Sequence, residues 1–158
     1  MILAALLLAQ VTPVAPIVRG TALPPPGTEE AQVMAPVEAM LAAIEANDGA
    51  AILRITRPEG GATAAWEGAD GRRGVERLSW AAFAAEMKPG TNHYREMLGT
   101  PAIEMDGDIA MVWAPYTVLK NGAPDHCGYD HFDVIREGGT WKVLNVTWSQ
   151  RTIACGAP

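Results

Sequence analysis

Residues 109–150, IAMVWAPYTVLKNGAPDHCGYDHFDVIREGGTWKVLNVTWSQ, decide the fold because they contain long strand-like runs separated by turn sequences. Asn121-Gly122 and Gly138-Gly139 are typical of tight hairpins, whose turns need positive φ. Asp106-Gly107 is a further turn sequence that joins an upstream strand to this region. The pattern predicts a meander of antiparallel strands at about residues 94–105, 108–120, 125–136 and 140–151. Both faces of this sheet carry large apolar residues, so we expect helices to cover one face and a second subunit to cover the other.

Helices are predicted upstream of this sheet. Thr28 is a suitable N-cap for a helix with Glu29 in its first turn, and apolar residues from Val33 to Ile44 follow helical spacing. Asp48 can cap a second helix and Ser79 a third, and a short hairpin at 62–66 and 74–78 lies between them. The order is α-α-β-β-α followed by antiparallel strands, which predicts the α+β class.

Composition limits the functions to consider. A chain of 158 residues, 49% of them hydrophobic, suits one domain. The net charge of -6 gives no reason to expect nucleic acid as a partner. The apolar run from Ile2 to Ala9 is far shorter than a membrane span, and it resembles a secretory signal peptide although no basic residue precedes it. We therefore predict a signal peptide at 1–9, a proline-rich linker at 10–27 and a domain at 28–158, exported to the periplasm or the exterior without membrane insertion after cleavage.

Several short motifs in the sheet region carry a family resemblance. They are Trp113-Ala114-Pro115-Tyr116, Asn121-Gly122, HCGYDHFDV at 126–134 and GTWKV at 139–143. With these motifs the chain resembles the nuclear transport factor 2-like superfamily, in particular its SnoaL-like, putative lumazine-binding branch. The resemblance implies helices packed on a curved antiparallel sheet that forms a cone-shaped cavity, and a homodimer through the outer side of the sheet. It implies no single activity, because this scaffold hosts isomerases, dehydratases, cyclases and binding modules.

Side-chain alternation predicts which residues line the cavity. If the turns hold two or four residues, Met111 and Trp113 share a face with His126, Asp130 and Phe132. Apolar walls with a few polar groups are typical of small-molecule pockets, so we choose this face. The predicted ligand contacts are Met111, Trp113, Phe132, Val134 and Asn145, and the candidate acid and base are His126 and Asp130. The opposite face remains an alternative, with Tyr116, Tyr129, His131 and Trp148 as its polar groups, and a bulge would reverse the last strand.

Metal binding is not expected at this cluster. His126 and Asp130 lie about 13 Å apart if they share one strand, and His131 points to the other face, so they cannot share one ion. No cofactor is predicted. The cysteines Cys127 and Cys155 match no zinc or redox motif, and hairpin pairing brings Cys127 near Gln150, so a disulfide between them is a candidate in an oxidising compartment.

Three functions follow as hypotheses. The first is an exported domain that binds a small, mostly apolar molecule without converting it. The second is an isomerase, dehydratase or cyclase that uses Asp130 or His126 in the cavity. The third is an assembly protein that docks a partner on the outer side of its sheet.

Overall fold

The helices begin at the predicted caps. A computed structural model describes residues 23–156, so the predicted signal peptide and the linker up to residue 22 lie outside the described residues. The helices are α1 (Glu29–Glu45), α2 (Gly49–Ile55) and α3 (Trp80–Glu86). The side chains of Thr28, Asp48 and Ser79 each accept a hydrogen bond from the backbone N–H three residues on. None of the helices within residues 23–156 is long and apolar enough to cross a membrane.

The strands form one mixed sheet. They are β1 (Thr56–Glu67), β2 (Arg73–Ser79), β3 (Tyr94–Leu98), β4 (Ala102–Asp106), β5 (Ile109–Lys120), β6 (Ala123–Glu137) and β7 (Thr140–Arg151). Their order is β2-β1-β7-β6-β5-β3, and β4 also pairs with β5. Every pair is antiparallel except β1 with β7, which is parallel. The α+β class is confirmed. The meander is extended by the predicted hairpin of β1 and β2, because β1 pairs in parallel with β7, a pairing that the sequence did not indicate.

The first strand of the predicted meander is divided in two. β3 and β4 lie end to end along β5, separated by residues 99–101. The gap falls opposite Ala114 and Pro115, since Leu98 pairs with Tyr116 and the next paired residue of β5 is Trp113. Pro115 has no N–H to donate across the ladder, which explains the break at this position.

A β-bulge after the turn between β5 and β6 determines which residues of these strands share a face. Lys120 pairs with Ala123 across a two-residue turn. Val118 then pairs with His126, which leaves Asp125 as the extra residue. A slip of one residue exchanges the faces of a strand, so the even-numbered residues of β5 lie beside the even-numbered residues of β6.

A second bulge, in β7, exchanges the two faces of that strand part-way along its length. Val134 pairs with Val143, but Asp133 pairs with Asn145, so Leu144 is extra. The residues after Leu144 that share a face with Val134 are therefore Val146, Trp148 and Gln150. The carbonyl oxygen of Leu144 accepts a hydrogen bond of 2.9 Å from the indole of Trp80 on α3.

The core lies between the helices and one face of the sheet, called the inner face below. Its fully buried side chains come from α1, α2, α3 and the central strands, and the largest are Trp80, Phe132, Met40 and Ile52. Met40 and Val37 on α1 belong to the predicted apolar stripe, which packs against Val112 and Phe132 of the sheet. One end of this layer is less tightly filled, and the candidate site lies there.

Candidate functional site

A cavity of about 550 Å³ opens between the helices and the inner face. Its walls are the end of α1, the end of α3, residues 88–92, and parts of β3, β5, β6 and β7. This volume is in the range of small-molecule pockets. The wall is mostly apolar, and its apolar and aromatic residues include Met40, Leu41, Ile44, Phe83, Met87, Tyr94, Phe132, Val146 and Trp148.

Two carboxyl groups meet inside this apolar wall. Asp130 on β6 is 4% exposed, and its Oδ2 has no hydrogen-bond donor among residues 23–156. Glu96 on β3 also lines the cavity, and the two carboxyls lie within hydrogen-bond reach of each other. Two carboxylates cannot hydrogen-bond unless one carries a proton, so this contact implies a shared proton.

Burial controls the ionisation of this carboxyl pair. Desolvation, followed by the charge and hydrogen bond of Glu96, raises the pKa of Asp130 well above its usual value. Desolvation also raises the pKa of Glu96, and the hydrogen bond from Asp130 and the charge of His126 oppose that rise. The pair therefore keeps a proton at a pH where exposed carboxyls have lost theirs.

The sheet register places Glu96 and Asp130 on the same face of the sheet but in different rows. Glu96 pairs with Val118, which pairs with His126, so these residues form one row across the inner face. Asp130 lies four residues beyond His126 and pairs with Trp148. Gly128 lies between them, and a Cβ at this position would overlap the carbonyl oxygen of Ser149 on β7. Glycine is therefore needed where β6 and β7 approach closely.

Tyr116 and His126 complete the polar part of the wall. The Tyr116 hydroxyl donates a hydrogen bond of 3.0 Å to the carbonyl oxygen of Ser149, and its ring contacts His126 edge-on at 5.9 Å. Burial, and then the charges of Asp130 and Glu96, raise the pKa of Tyr116, so its hydroxyl stays protonated. His126 Nδ1 lies 2.9 Å from the Oδ2 of the bulge residue Asp125.

The structure divides the predicted site residues between the two faces. His126, Asp130 and Phe132 line the cavity. Val134 is buried on the same face, in the core and not in the cavity wall. The predicted roles of these residues in binding or catalysis remain predictions.

The predicted cavity positions of Met111, Trp113 and Asn145 are wrong. Trp113 is 39% exposed on the outer face, where it stacks on Tyr129 with ring centroids 5.2 Å apart. Met111 alternates with Val112 and shares the outer face. The bulge at Asp125 is the cause, because it shifts β5 by one residue relative to β6.

Asn145 has a different environment because of the second bulge. Its amide Nδ2 donates to Asp133 at 3.2 Å, and its Oδ1 accepts from the backbone N–H of Gly61 at 3.1 Å. Asn145 therefore links β6, β7 and β1 at the start of the parallel pairing. This is a structural role outside the cavity.

The sequence reasoning missed Glu96 altogether. Glu96 alternates with Tyr94 and Leu98, so one acidic residue lies between two apolar residues on the same face of a strand, and this signal could have identified it. Of the alternative polar set, Tyr116 and Trp148 line the cavity, whereas Tyr129 and His131 lie with Trp113 on the outer face.

The predicted disulfide between Cys127 and Cys155 is confirmed. Their Cα atoms lie 5.5 Å apart, and Cys127 pairs with Arg151 in the sheet, so the segment after β7 turns back over β6. Thr117 Oγ1 donates a hydrogen bond of 2.8 Å to the carbonyl oxygen of Gly156. The end of the described chain is thus fixed to the outer face. Within residues 23–156, no group of three His, Cys, Asp or Glu side chains is arranged to hold a metal ion.

Comparison of the architecture with solved structures identifies the fold. An NTF2-like protein from Cytophaga hutchinsonii superposes with a TM-score of 0.61 at 14% identity, covering 77% of this chain and 98% of its own. One of unknown function from Silicibacter pomeroyi gives a TM-score of 0.58 at 21% identity, covering 78% and 96%. One with a cystatin-like fold from Novosphingobium aromaticivorans gives 0.58 at 13% identity, covering 80% and 83%. The fold is NTF2-like.

The NTF2-like fold agrees with the superfamily resemblance in the sheet motifs. No family model matches the sequence, and no curated protein matches it. The similarities to solved structures extend to the architecture and not to a particular branch, such as the SnoaL-like one. The activity of this NTF2-like chain therefore has to be argued from its own cavity.

Proposed function

We propose that this protein binds a small, mostly apolar molecule in the cavity between α1, α3 and the inner face of the sheet. The observation that carries the proposal is the combination of a wall rich in apolar and aromatic residues with the buried, unpaired Oδ2 of Asp130. Apolar walls supply the burial of a ligand, and a few convergent polar groups fix its orientation.

The test fills the cavity without removing a polar group. Ile44 lines the cavity from α1, so Ile44→Trp should occupy part of its volume. Leu53 on α2 is 51% exposed, which makes Leu53→Trp a matched control on the surface. Native mass spectrometry of protein purified from its own host should show a bound molecule in the wild type and in Leu53→Trp, and its loss in Ile44→Trp. A wild-type protein that carries nothing and binds no apolar fluorescent probe would contradict the proposal.

A second function is favoured by one specific observation, the contact between the Asp130 and Glu96 carboxyls in the cavity. A carboxyl whose pKa is raised can act as a general acid, and an ionised carboxylate beside it can act as a base. We propose as the alternative an isomerase, dehydratase or cyclase in which Asp130 and Glu96 transfer the proton, with His126 near the cavity mouth. The molecule that copurifies with Asp130→Asn should be incubated with wild type and with Asp130→Asn. Conversion only by the wild type supports the enzyme, and recovery of the unchanged molecule from both supports simple binding.

We also propose that the chain is exported. The apolar run in residues 1–9 and the disulfide between Cys127 and Cys155 support this, because disulfides persist in oxidising compartments. The intact mass of the protein recovered from the periplasm or the medium should correspond to a chain cleaved after Ala9. Recovery with Met1 in place, or only from the cytoplasm, would refute export.

A further inference from the structure

The carboxyl pair of the cavity forms no ion pair within residues 23–156. Within residues 23–156 neither Glu96 nor Asp130 forms an ion pair with Lys, Arg or His. His126, the nearest basic side chain along the row, is engaged with Asp125 at 2.9 Å. Asp130 is nevertheless 4% exposed, lines this cavity, and has a buried Oδ2 that accepts no hydrogen bond within residues 23–156. Buried carboxylates in proteins are normally paired, so this pair lacks its counter-charge.

The surroundings of the pair suit a cation. Trp148 is the cross-strand neighbour of Asp130, and Tyr94, Phe132 and Phe83 line the same cavity. The faces of aromatic rings attract ammonium groups, and the ring of Tyr94 already lies 5.6 Å from the ammonium of Lys120. A ligand cation at the pair would meet both negative charge and aromatic rings.

We propose that the cavity takes a small ligand with a protonated amine, whose ammonium lies beside the carboxyl pair of Glu96 and Asp130 and whose apolar body lies against Phe83 and Trp148. This inference rests on the proposed binding function and names the class of ligand. An ammonium supplies the donors that the carboxyl oxygens lack, and a hydrogen bond between charged groups is stronger than one between neutral groups. A neutral ligand of the same shape would fill the apolar part only.

The pH dependence has a definite sign. The ammonium binds the ionised form of the pair, so its affinity rises with pH as the pair loses protons, until the amine itself deprotonates at high pH. The titratable or charged groups that face the pair are His126 from β6, Tyr116 from β5, Tyr94 from β3, and Glu86 and Lys88 at the cavity mouth. Tyr116 stays protonated throughout this range.

The experiment compares two probes that differ only in the charged group, phenylbutylamine and phenylbutanol. Isothermal titration should give an affinity for the amine at least about tenfold higher than for the alcohol. The preference should grow as pH rises above about 4, as long as the primary amine remains protonated. Glu96→Gln with Asp130→Asn should abolish the preference by weakening the binding of the amine to about the level of the alcohol. Glu76→Gln, on the exposed edge strand β2, is the control that should keep it.

The outcomes separate the two proposals. Equal affinities for the amine and the alcohol overturn the amine proposal and leave the binding function intact. Binding of neither probe to the folded wild type overturns both. Because the carboxyl substitutions are nearly isosteric, circular dichroism should show unchanged folding, and a preference that survives in the folded double variant also overturns the amine proposal.

Discussion

The buried carboxyl pair of Asp130 and Glu96 lowers the stability of the folded protein, so Asp130→Asn should stabilise it. Asparagine has nearly the same shape as aspartate, and its amide can donate to Glu96 without a shared proton. In the wild type Asp130 is 4% exposed and its Oδ2 is unpartnered. The buried pair costs stability at neutral pH because the unfolded chain can ionise both carboxyls freely, so replacing one of them should raise the free energy of unfolding by about 1–3 kcal/mol.

The sign of the pH dependence follows from the raised pKa values of Asp130 and Glu96. An unfolded Asp or Glu loses its proton near pH 4, whereas the folded pair still holds a proton above that pH. The folded state therefore binds more protons than the unfolded state, and wild-type stability falls as pH rises above about 4 until the folded pair has ionised. Below about pH 4 the two carboxyls are protonated in the folded and in the unfolded state, and the advantage of Asp130→Asn should disappear.

The measurement is urea unfolding of wild type, Asp130→Asn and Glu96→Gln at several pH values, followed by tryptophan fluorescence. Glu76→Gln is the control, because Glu76 is exposed on an edge strand and far from the cavity residues. The other carboxyl groups contribute equally to each protein, so the difference between curves isolates the pair. An Asp130→Asn protein less stable than wild type at neutral pH would refute this reasoning, as would a difference that does not change with pH.

Three further predictions concern the fold. Cys155→Ser removes a disulfide between residues 28 apart in sequence, and it should lower the free energy of unfolding by roughly 3–4 kcal/mol. A reductant should destabilise the wild type by a similar amount and leave the stability of the variant unchanged. Phe132→Ala, at 2% exposure, should destabilise by about 3–5 kcal/mol in urea unfolding, whereas Trp113→Ala, at 39% exposure on the outer face, should lose only about 0.5–1.5 kcal/mol of stacking. Gly128→Ala should destabilise by about 1–3 kcal/mol or more, because its Cβ meets the backbone of β7, and a thermal scan with unchanged Tm would contradict that close contact.

The elements of this fold were predictable because local chemistry determines them. Thr28, Asp48 and Ser79 are polar caps followed by helical stretches, and all of them accept the expected backbone hydrogen bond. Asn121-Gly122 supplies two positive φ values at the predicted hairpin. The parallel pairing of β1 with β7 joins segments far apart in sequence, and no local signal announces it.

The candidate site was only half predictable, and the reason is the two bulges. Alternation correctly grouped His126, Asp130 and Phe132, because these residues lie on one uninterrupted part of β6. It failed across the turns, where Asp125 and Leu144 each add one residue to a strand and exchange its faces. Whether a bulge forms depends on packing, such as the hydrogen bond from Trp80 to the Leu144 carbonyl, which sequence spacing does not reveal.

The place of β7 in the sheet has a consequence for the order of folding. β7 lies between β1 and β6, so the hairpin of β1 and β2 joins the rest of the sheet only through a strand that ends at Arg151. During synthesis, residues 56–79 can form a hairpin but cannot dock on the sheet until the ribosome has released residues 140–151. Contacts between such distant segments close slowly, because a long chain must be ordered before they form. Until then β1 and β6 both present open edges, and the growing chain is most vulnerable to pairing with another chain at these edges.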